Sequence, residues 1–408
     1  MRILFLSRWF PYPADNGSKI RIFNLIKALS ARHDVELISF ASEAVSEDQL
    51  MAMRRYCRKA EVVLYRPFQP HSLKALASFF SLHPRSVIDT YNTEMQALVD
   101  EAANGQPFDV VIASEVDMIP YAETISDCPK IFEELELTTL YEQFTKSAGG
   151  WARWRYGLTW WKTSRYVAHL LPRFDACTVV STQERELIMR LISHSTTLSI
   201  VPNGVDVAHH RGDFGAPQKE TLVYSGALSY QANFDAVDYF LREVFPLIQN
   251  KRPGVKFFIT GKADPELVER LPRNTGVVFT GYLKDVRSQV ARSWLSVAPL
   301  RVGGGTRLKV LEALALGTPV VATRKGAEGL ALTPGRDILI ADTPPDFAAL
   351  VLRVMGDPAL RETLSRNGRQ TVVAQYDWQQ IGERFTGLVE TVVAQKRSNT
   401  MVKLYGPA

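Results

Sequence analysis

The segment from Arg301 to Thr323, RVGGGTRLKVLEALALGTPVVAT, combines residue types that suit the binding of an anion. Three consecutive glycines, Gly303 to Gly305, allow the backbone to approach a ligand closely. Thr306 is predicted to cap the helix that follows, whose first N–H groups would then point into the loop. Arg307 and Lys309 place positive charge in the first turn, where the helix dipole alone disfavours cations. We therefore expect an anion at this loop.

One turn later, Glu312 is a carboxylate within the otherwise apolar run from Val310 to Leu316. A carboxylate can accept hydrogen bonds from two hydroxyls, and such bonds are about twice as strong as neutral ones. The alternative is an ion pair with Lys309 on the helix surface, which would contribute only about 0.2–0.5 kcal/mol. The apolar flanks favour a ligand. A phosphate group followed by hydroxyls would fit both features.

The elements that must position these residues alternate between strand and helix, which predicts an α/β chain with parallel sheets of the doubly wound type. The strand pattern restarts at Leu222, after a turn cluster at 202–206 and a polar segment that reaches Thr221, so two domains are expected. The predicted strands are 3–6, 35–40, 61–64, 110–113, 130–132, 176–180, 198–201, 222–226, 255–260, 277–280, 295–298, 319–322 and 338–340.

Four helix predictions affect the arrangement of these strands. Residues 19–31 are predicted to be a helix with Ile20, Phe23, Leu25 or Ile26, and Leu29 inward. Asn233 is predicted to cap a helix that runs to about residue 249. Three further helices are expected at 346–354, 360–374 and 378–394. Because ligands of open parallel sheets bind at the carboxyl ends of strands, the glycines that end several strands are expected to line one crevice.

Composition narrows the class of protein. The chain has 408 residues, of which 46% are apolar and 22% charged, an ordinary balance for two globular domains. The net charge of +5 is too small and dispersed to indicate nucleic-acid binding. Three cysteines without metal-ligand spacing fit a reducing cytosol. No segment approaches the roughly 18 apolar residues of a membrane span. We expect a cytoplasmic protein, at most peripheral on the inner face of the plasma membrane.

The chain resembles the GT-B glycosyltransferases, in particular the retaining enzymes of family 4 that assemble bacterial cell-surface polysaccharide or exopolysaccharide. The resemblance covers nearly the whole chain. Each motif is weak alone, but their order and spacing together are specific. The motifs are FPYPADNG at 10–17, VPNGVD at 201–206, FTGY at 279–282, APL at 298–300, KVLEA at 309–313, GTPVV at 317–321, GAEGL at 326–330 and YDW at 376–378.

This resemblance implies two Rossmann-like domains that face each other across a cleft. Residues 1–203 would bind the acceptor and residues 204–376 the nucleotide-sugar donor, with a C-terminal helix at 377–408 returning to the first domain. The enzyme would transfer a hexose with retention of configuration, from a UDP- or GDP-sugar, to a glycan or polyprenyl-linked acceptor. The resemblance implies that no metal is needed. No cofactor is expected either, because the nucleotide-sugar is itself a substrate.

The same resemblance assigns roles to individual residues. Glu312 would bind the ribose hydroxyls, Arg307 and Lys309 the diphosphate, and Gly305 and Thr306 would offer backbone N–H groups. Three further donor-binding candidates have structural alternatives. Gly226 would begin the donor loop or simply end a strand, Tyr282 would contact the nucleobase or pack in the core, and Gly17 would approach the donor or form a turn. They complete the predicted donor-binding set.

The chain departs from the family pattern at three places. Gly304 stands where a glutamate often contacts the transferred sugar, and the usual Arg and Lys are absent from residues 227–233. Ser114, followed by Glu115 and Asp117, replaces a histidine of the acceptor domain. Arg307, Lys309 and Glu115 are therefore the catalytic candidates. Glu115 would position the acceptor or act as a base, and the alternative is an ordinary loop carboxylate.

The stretch from Phe144 to Phe174 has no acidic residue and holds four of the seven tryptophans, interleaved with six cations. Such a composition suits the headgroup layer of an anionic membrane. The alternative is a long helix that packs its aromatic side chains inside while its cations extend outward. Sequence alone does not separate the two.

Other functions remain open at this point. A GT-B protein that binds a nucleotide-sugar without transferase activity is kept open by Gly304 and Ser114. A nucleotide-sugar epimerase would need clustered carboxylates and histidines, and the seven histidines form no evident cluster near the motif. A dinucleotide dehydrogenase is disfavoured, because residues 8–18 hold one glycine and no G-x-G-x-x-G.

Overall fold

The computed structural model describes residues 1–78, 81, 83–126, 128–147, 149–192 and 197–405. The chain forms two compact units, Met1–Pro202 together with Ile381–Ala408, and Asn203–Gln380. No helix within the described ranges is long and apolar enough to cross a membrane.

The first unit contains a seven-stranded parallel sheet with strand order β3-β2-β1-β4-β5-β6-β7. The interior strand β1 is buried from Ile3 through Ser7, as expected for a parallel sheet with helices on both faces. The strands are β1 Arg2–Ser7, β2 Asp34–Ala41, β3 Lys59–Leu64, β4 Val110–Ser114, β5 Lys130–Glu133, β6 Ala176–Val179 and β7 Thr197–Ile200.

Helices of the first unit connect and cover these strands. They are α1 Gly17–Ser30, α2 Glu47–Arg54, α3 Leu73–Ala77, α4 Arg85–Thr90, α5 Thr93–Ala103, α6 Ile119–Glu123, α7 Thr138–Lys146, α8 Gly150–Leu170 and α9 Thr182–Met189. The predicted inward face of α1 is partly wrong. Ile20 and Phe23 are only half-buried, and the fully buried side of the helix includes the charged Arg21.

The second unit contains a six-stranded parallel sheet with order β10-β9-β8-β11-β12-β13. Its strands are β8 Gln218–Ser225, β9 Lys256–Thr260, β10 Val277–Gly281, β11 Ser293–Ala298, β12 Val320–Ala322 and β13 Leu339–Ile340. Its helices are α10 Gln231–Tyr239, α11 Phe245–Lys251, α12 Pro265–Glu269, α13 Arg287–Arg292, α14 Leu308–Ala315, α15 Pro344–Gly356 and α16 Pro358–Gln375, with a π-helical turn at Phe240–Val244 between α10 and α11.

Two cap predictions in this unit are wrong. Asn233 lies inside α10 rather than before it, and its side-chain amide donates to the carbonyl oxygen of Ala227 at 2.8 Å. Thr306 lies two residues before α14, and its hydroxyl oxygen accepts a 2.9 Å hydrogen bond from Asn203. Both side chains are committed to tertiary contacts, so neither is available to cap a helix.

The last helix, α17 Trp378–Tyr405, begins in the second unit and from Ile381 onward belongs to the first. It lies so close to α1 that a Cβ atom on Gly382 would be 2.5 Å from the Cβ of Ala28. Every strand in the described residues overlaps a predicted strand. The predicted fold class, two doubly wound parallel-sheet domains, is confirmed.

Candidate functional site

The glycine loop at 303–305 and the start of α14 place Lys309 at the centre of a polar site in the second unit. The Lys309 ammonium donates to the Tyr224 hydroxyl at 2.6 Å and to Asn233 Oδ1 at 2.7 Å. It also lies 4.1 Å from the centre of the Tyr224 ring. Neither partner carries a negative charge, so the ammonium is solvated by dipoles alone.

Burial therefore dominates the electrostatics of Lys309. Desolvation, reinforced by the nearby Arg307 and only partly opposed by Glu312, lowers the pKa of Lys309 to about 7. A buried cation held this way gains strongly from an anionic ligand, because the ligand supplies the charge that its protein partners lack.

Gly226, which follows β8, lies directly over this ammonium. A Cβ atom at Gly226 would be 2.9 Å from Lys309 Nζ and 2.8 Å from the Asn233 side-chain nitrogen. The neighbouring Gly261 approaches the backbone of Gly226 so closely that its own Cβ would be 2.6 Å from the Gly226 carbonyl. The carboxyl ends of two adjacent strands, β8 and β9, are therefore kept free of side chains at this point.

Arg307 stabilises the glycine loop from inside. Its guanidinium donates to the carbonyl oxygens of Gly303 at 2.8 Å, Gly304 at 3.0 Å and Lys325 at 3.0 Å, and it pairs with Glu328 at 3.2 Å. The side chain is only 5% exposed. Arg307 thus fixes the shape of the loop and adds positive potential, while most of its donors are already engaged.

Glu312 lies one turn after Lys309 on α14, and no ion pair joins the two side chains among the described contacts. Its carboxylate makes no hydrogen bond to another described residue. Burial raises the pKa of Glu312, and the Lys309 charge lowers it in part. The surface ion pair considered as the alternative is therefore absent, and the acceptor oxygens of Glu312 remain available.

The other predicted donor residues of this unit lie in different settings. Gly305 has open space where a Cβ would be, and Thr306 is held by Asn203. Tyr282 follows β10 and is 78% exposed, so the alternative of a packed core aromatic is wrong. Gly17 is the first residue of α1 and belongs to the first unit.

A second polar cluster lies at the carboxyl edge of the sheet in the first unit. Glu115 follows β4 with a left-handed backbone, φ 71°, a conformation that costs free energy for a residue other than glycine. Burial, then the charge of Asp117, raises the pKa of Glu115 to about 8, while Arg8 opposes the rise. Arg8 lies 3.4 Å from Asp117 and 3.0 Å from the centre of the Tyr65 ring. At neutral pH Glu115 is therefore mostly protonated.

Next to this cluster, a buried ion pair between Arg21 and Glu133 stabilises the carboxyl edge of the sheet. Arg21 Nε donates to Glu133 at 2.6 Å, Arg21 Nη1 donates to the Val201 carbonyl at 2.8 Å, and Ser114 donates to the other oxygen of Glu133 at 2.6 Å. Arg21 and Glu133 are fully buried. The adjacent Glu134 also has a left-handed backbone, φ 60°, and burial raises its pKa. Ser114 thus has a structural partner rather than a free hydroxyl.

Comparison with known proteins distinguishes the two units. Residues 219–357 match the family model described as "Glycosyl transferases group 1". This range contains Gly226, the glycine loop, Lys309 and Glu312. The match lies entirely within the second unit, which is therefore similar to group 1 glycosyltransferases over most of its length.

Curated relatives extend the similarity. Glycogen synthase of Mycobacterium tuberculosis is 27% identical over 215 residues, which are 49% of this chain and 49% of that protein, so the match spans about half the relative's length. A 44.6 kDa protein from the cps region of Klebsiella pneumoniae is 19% identical over 92% of this chain and 96% of its own length.

Solved structures resemble the whole chain in fold. The Anabaena protein HepE, solved in complex with UDP and glucose, superimposes with a TM-score of 0.66 over 96% of this chain and 99% of its own, at 16% identity. The unit that matches the family model is thus one of two Rossmann-like domains in a chain of GT-B fold, and this fold was predicted.

The structure also adds residues that sequence reasoning missed. Tyr224 and Asn233 hold the Lys309 ammonium, and Glu328 contacts both Arg307 and, at 2.5 Å, Lys325. Glu328 lies within the GAEGL motif, which offered a signal. Tyr224 offered none, because a tyrosine in a buried strand is usually core. No group of three or more His, Cys, Asp or Glu in the described part of the chain could hold a metal ion.

Proposed function

We propose that the chain is a retaining glycosyltransferase of family 4, which moves a hexose from a nucleotide-sugar to a glycan or lipid-linked acceptor. The observation that carries the proposal is the ammonium of the half-buried Lys309, which has no anionic hydrogen-bond partner and lies beneath Gly226 within the residues that match the family model. A donor diphosphate would supply the missing negative charge.

The donor would be held by residues with distinct tasks. Lys309 binds the diphosphate, and the N–H groups of Gly305 and Thr306 add hydrogen bonds to it. Arg307 is a positioning residue that holds the glycine loop in shape and contributes charge. Glu312 accepts the ribose hydroxyls, since its oxygens are available. Tyr282, exposed at the end of β10, stacks on the nucleobase, and Gly17 approaches the donor from the first unit.

In the proposed reaction, the bond from the sugar anomeric carbon to the phosphate oxygen breaks while a bond to the acceptor hydroxyl oxygen forms on the same face. The acceptor proton passes to the leaving phosphate, and the products are a nucleoside diphosphate and the glycosylated acceptor. Lys309 stabilises the negative charge that grows on the phosphate. No metal or cofactor takes part, so transfer should persist in EDTA.

Glu115 would hold the acceptor. Because it is mostly protonated at neutral pH, it can donate one hydrogen bond and accept another from a sugar hydroxyl. Asp117 lies beside Glu115, and the Tyr65 hydroxyl donates a hydrogen bond to Asp117. The raised pKa suits a group that exchanges protons near pH 7.

The pathway proposed is synthesis of cell-surface polysaccharide or exopolysaccharide. Similarity along most of the chain to a protein of the Klebsiella pneumoniae cps region supports it. A UDP or GDP donor is proposed, and the complex of HepE with UDP supports UDP. An acceptor carried on a polyprenyl lipid would place the enzyme in the cytoplasm, peripheral on the inner face of the plasma membrane.

A thermal-shift screen of UDP-, GDP-, ADP- and dTDP-sugars tests the donor site. One of them should raise the melting temperature, since ligand at a hundredfold excess over Kd stabilises by about 2.7 kcal/mol. Lys309→Met and Glu312→Gln should reduce the shift, and Lys251→Met, at an exposed lysine of α11, should not. If no nucleotide-sugar shifts the wild-type protein, the proposal fails.

A radiolabelled transfer assay with the donor so identified tests catalysis. Transfer to a glycan or lipid acceptor, or slow hydrolysis of the donor, is expected. Glu115→Gln should bind the donor normally but transfer more slowly. Binding of the donor with neither transfer nor hydrolysis would instead support a binding protein without transferase activity.

A further inference from the structure

The α7–α8 hairpin, formed by α7 (Thr138–Lys146) and α8 (Gly150–Leu170), carries the most exposed tryptophans of the described residues. Trp151, Trp154 and Trp161 are 74%, 56% and 46% exposed. Such large apolar side chains are normally covered in a soluble protein, so this surface indicates an interaction site. The alternative in which α8 packs its aromatic side chains inside is wrong for these three tryptophans, while Trp160 is half-buried.

The exposed tryptophans form one continuous stripe. Trp151, Trp154, Leu158 and Trp161 follow one another at intervals of three and four residues, which places them within an arc of about 80° on a helix. We call these four residues the tryptophan face. The rings of Trp151 and Trp154 stack, with centres 4.8 Å apart. A shallow cavity of about 490 Å³, lined by Phe144, Trp154, Leu158 and Trp161, runs along the same stripe.

The opposite side of α8 anchors the hairpin in the first unit. Tyr166, Val167 and Leu170 are buried, and Lys162 reaches inward to donate to the Ser78 carbonyl at 3.1 Å. Phe144 of α7 packs against Gly157, where a Cβ would be 3.1 Å from its ring. The helix is therefore held firmly at its C-terminal half, while its first turn, 151–155, is exposed on all sides.

Arginines flank the tryptophan face. Arg153, Arg155 and Arg165 are exposed, and none has a carboxylate within 4.0 Å among the described residues. The guanidinium of Arg165 lies over Trp161, with its carbon 5.4 Å from the ring centre. No acidic residue occurs from 145 to 173. The hairpin surface thus combines an apolar stripe with exposed arginines that have no carboxylate partner, and Glu142 of α7 is paired with Lys146.

We infer that the α7–α8 hairpin docks the protein on the surface of an anionic phospholipid bilayer, with the tryptophan face in the headgroup layer and the arginines on lipid phosphates. Tryptophan prefers this layer because its ring is apolar and its N–H is polar. Guanidinium groups bind phosphate oxygens in pairs. The inference deepens the proposed function by naming the surface that brings the enzyme to a lipid-linked acceptor. Only the biological purpose of membrane docking rests on the proposed function; the docking itself does not.

Charge complementarity selects the bilayer among the occupants of this surface. A two-fold dimer formed through this face would bring the arginines of both copies into one interface without carboxylate partners, which costs free energy. An anionic bilayer instead provides phosphate groups that bind the arginines and a headgroup layer in which the tryptophan rings can lie. Each cation near such a surface increases the partition coefficient by a factor of roughly five.

Co-sedimentation of the full chain with vesicles tests this inference without donor or acceptor. The wild-type protein should bind vesicles of phosphatidylcholine mixed with phosphatidylglycerol, bind phosphatidylcholine alone weakly, and show a blue shift of tryptophan fluorescence on binding. Trp151→Ala/Trp154→Ala/Trp161→Ala should abolish binding and the shift. Arg153→Glu/Arg155→Glu should weaken binding by more than about tenfold.

Matched controls separate docking from general damage. Leu247→Ala removes an exposed apolar side chain of the second unit, and Arg353→Glu/Arg366→Glu reverses two exposed arginines there; both should bind like the wild type. All variants should keep the wild-type donor-induced thermal shift, which separates this test from that of the proposed function. Wild-type protein that ignores anionic vesicles would overturn the inference, as would a triple tryptophan variant that still binds. Self-association of the wild-type protein, measured by light scattering and lost in the triple tryptophan variant, would also overturn the inference.

Discussion

At the scale of single residues, Lys309 and Glu312 show how burial prepares a site for a charged ligand. Lys309 has neutral hydrogen-bond partners, and Glu312 has no hydrogen bond to a described residue. Burial moves the pKa of the lysine down and that of the glutamate up, so each is driven toward its neutral form. A donor that brings a diphosphate to one and hydroxyls to the other would restore both charges.

The lowered pKa of Lys309 predicts how donor affinity depends on pH. Below pH 7 the ammonium is already protonated in the free protein, so affinity should be level. Above pH 7 the free lysine loses its proton, whereas the bound diphosphate keeps it protonated, so binding must take up a proton. Kd should then rise by up to about tenfold per pH unit. Isothermal titration calorimetry between pH 6 and 8.5 in buffers of different ionisation enthalpy measures both the affinity and the proton uptake.

Lys309→Met is the control for this pH dependence. Its donor affinity should be lower than that of the wild type at pH 6.5 and should no longer change between pH 7 and 8.5. A wild-type Kd that stays constant over this range would show that the pKa of the free lysine is not lowered, and an unchanged Kd in Lys309→Met would show that Lys309 does not hold the phosphate.

At the scale of elements, the strands were predictable and the side-chain networks between them were not. Runs such as Ile3–Leu6 and Leu295–Ala298 have the continuous apolar character of strands that are covered on both faces, and the glycines after them mark the carboxyl edge. Thr306 and Asn233 have the residue types of helix caps. Their actual partners, Asn203 and Lys309, lie 103 and 76 residues away in the chain, and no local pattern reveals such pairs.

The buried charges illustrate the same limit. Glu312 could be singled out because its neighbours in sequence are apolar. Arg21 could not be recognised as buried, because its partner Glu133 is 112 residues away and lies at the end of another strand. Likewise, sequence places Glu115 after β4, but its raised pKa depends on Asp117 and on burial that only the fold creates.

The contact between the β8 end and α14 predicts an unusual effect of Gly226→Ala. The added methyl group would meet the ends of two side chains, Lys309 Nζ at 2.9 Å and the Asn233 side-chain nitrogen at 2.8 Å. Side-chain ends can move, but residues with a Cβ rarely adopt the φ of 155° found at Gly226, so the fold should survive with a loss of stability that comes mainly from backbone strain. The ammonium, however, should be displaced, and donor affinity should fall by about tenfold or more, the equivalent of 1.4 kcal/mol. Thermal melts and donor titrations of the same preparation measure the two effects separately.

Two other glycines provide the comparison for this prediction. Gly261→Ala would place its methyl group 2.6 Å from the Gly226 backbone, which cannot move aside, so it should destabilise the protein markedly. Gly387→Ala, in α17 with nothing within 4 Å, should change neither donor affinity nor fold. If Gly226→Ala bound donor like the wild type, the position assigned to the diphosphate would be incorrect.

At the scale of the whole molecule, each unit has its own parallel sheet and core, and the residues proposed for donor and acceptor are divided between the units. The side chains of the proposed donor site, Tyr224, Lys309 and Glu312, all lie in Asn203–Gln380, whereas Glu115 and Asp117 lie in the first unit. The restart of the strand pattern at Leu222 made two domains predictable. The sequence did not reveal that the first and last residues of the second unit are hydrogen-bonded to each other, because backbone groups make these hydrogen bonds.

This closure predicts that residues 203–380 fold alone and bind the donor. Val205 N–H donates to the Tyr376 carbonyl at 2.8 Å and Trp378 N–H donates to the Val205 carbonyl at 3.2 Å, so both ends of the fragment are tied together. The Tyr376 hydroxyl also accepts from the backbone of Ala331. Donor affinity of the fragment, measured by calorimetry, should be close to that of the full chain, because every buried group around Lys309 is retained.

Transfer should be lost in the fragment, because the first unit is missing. A shorter fragment that ends at residue 370 should melt at a lower temperature. A folded 203–380 fragment that fails to bind would place essential donor contacts in the first unit.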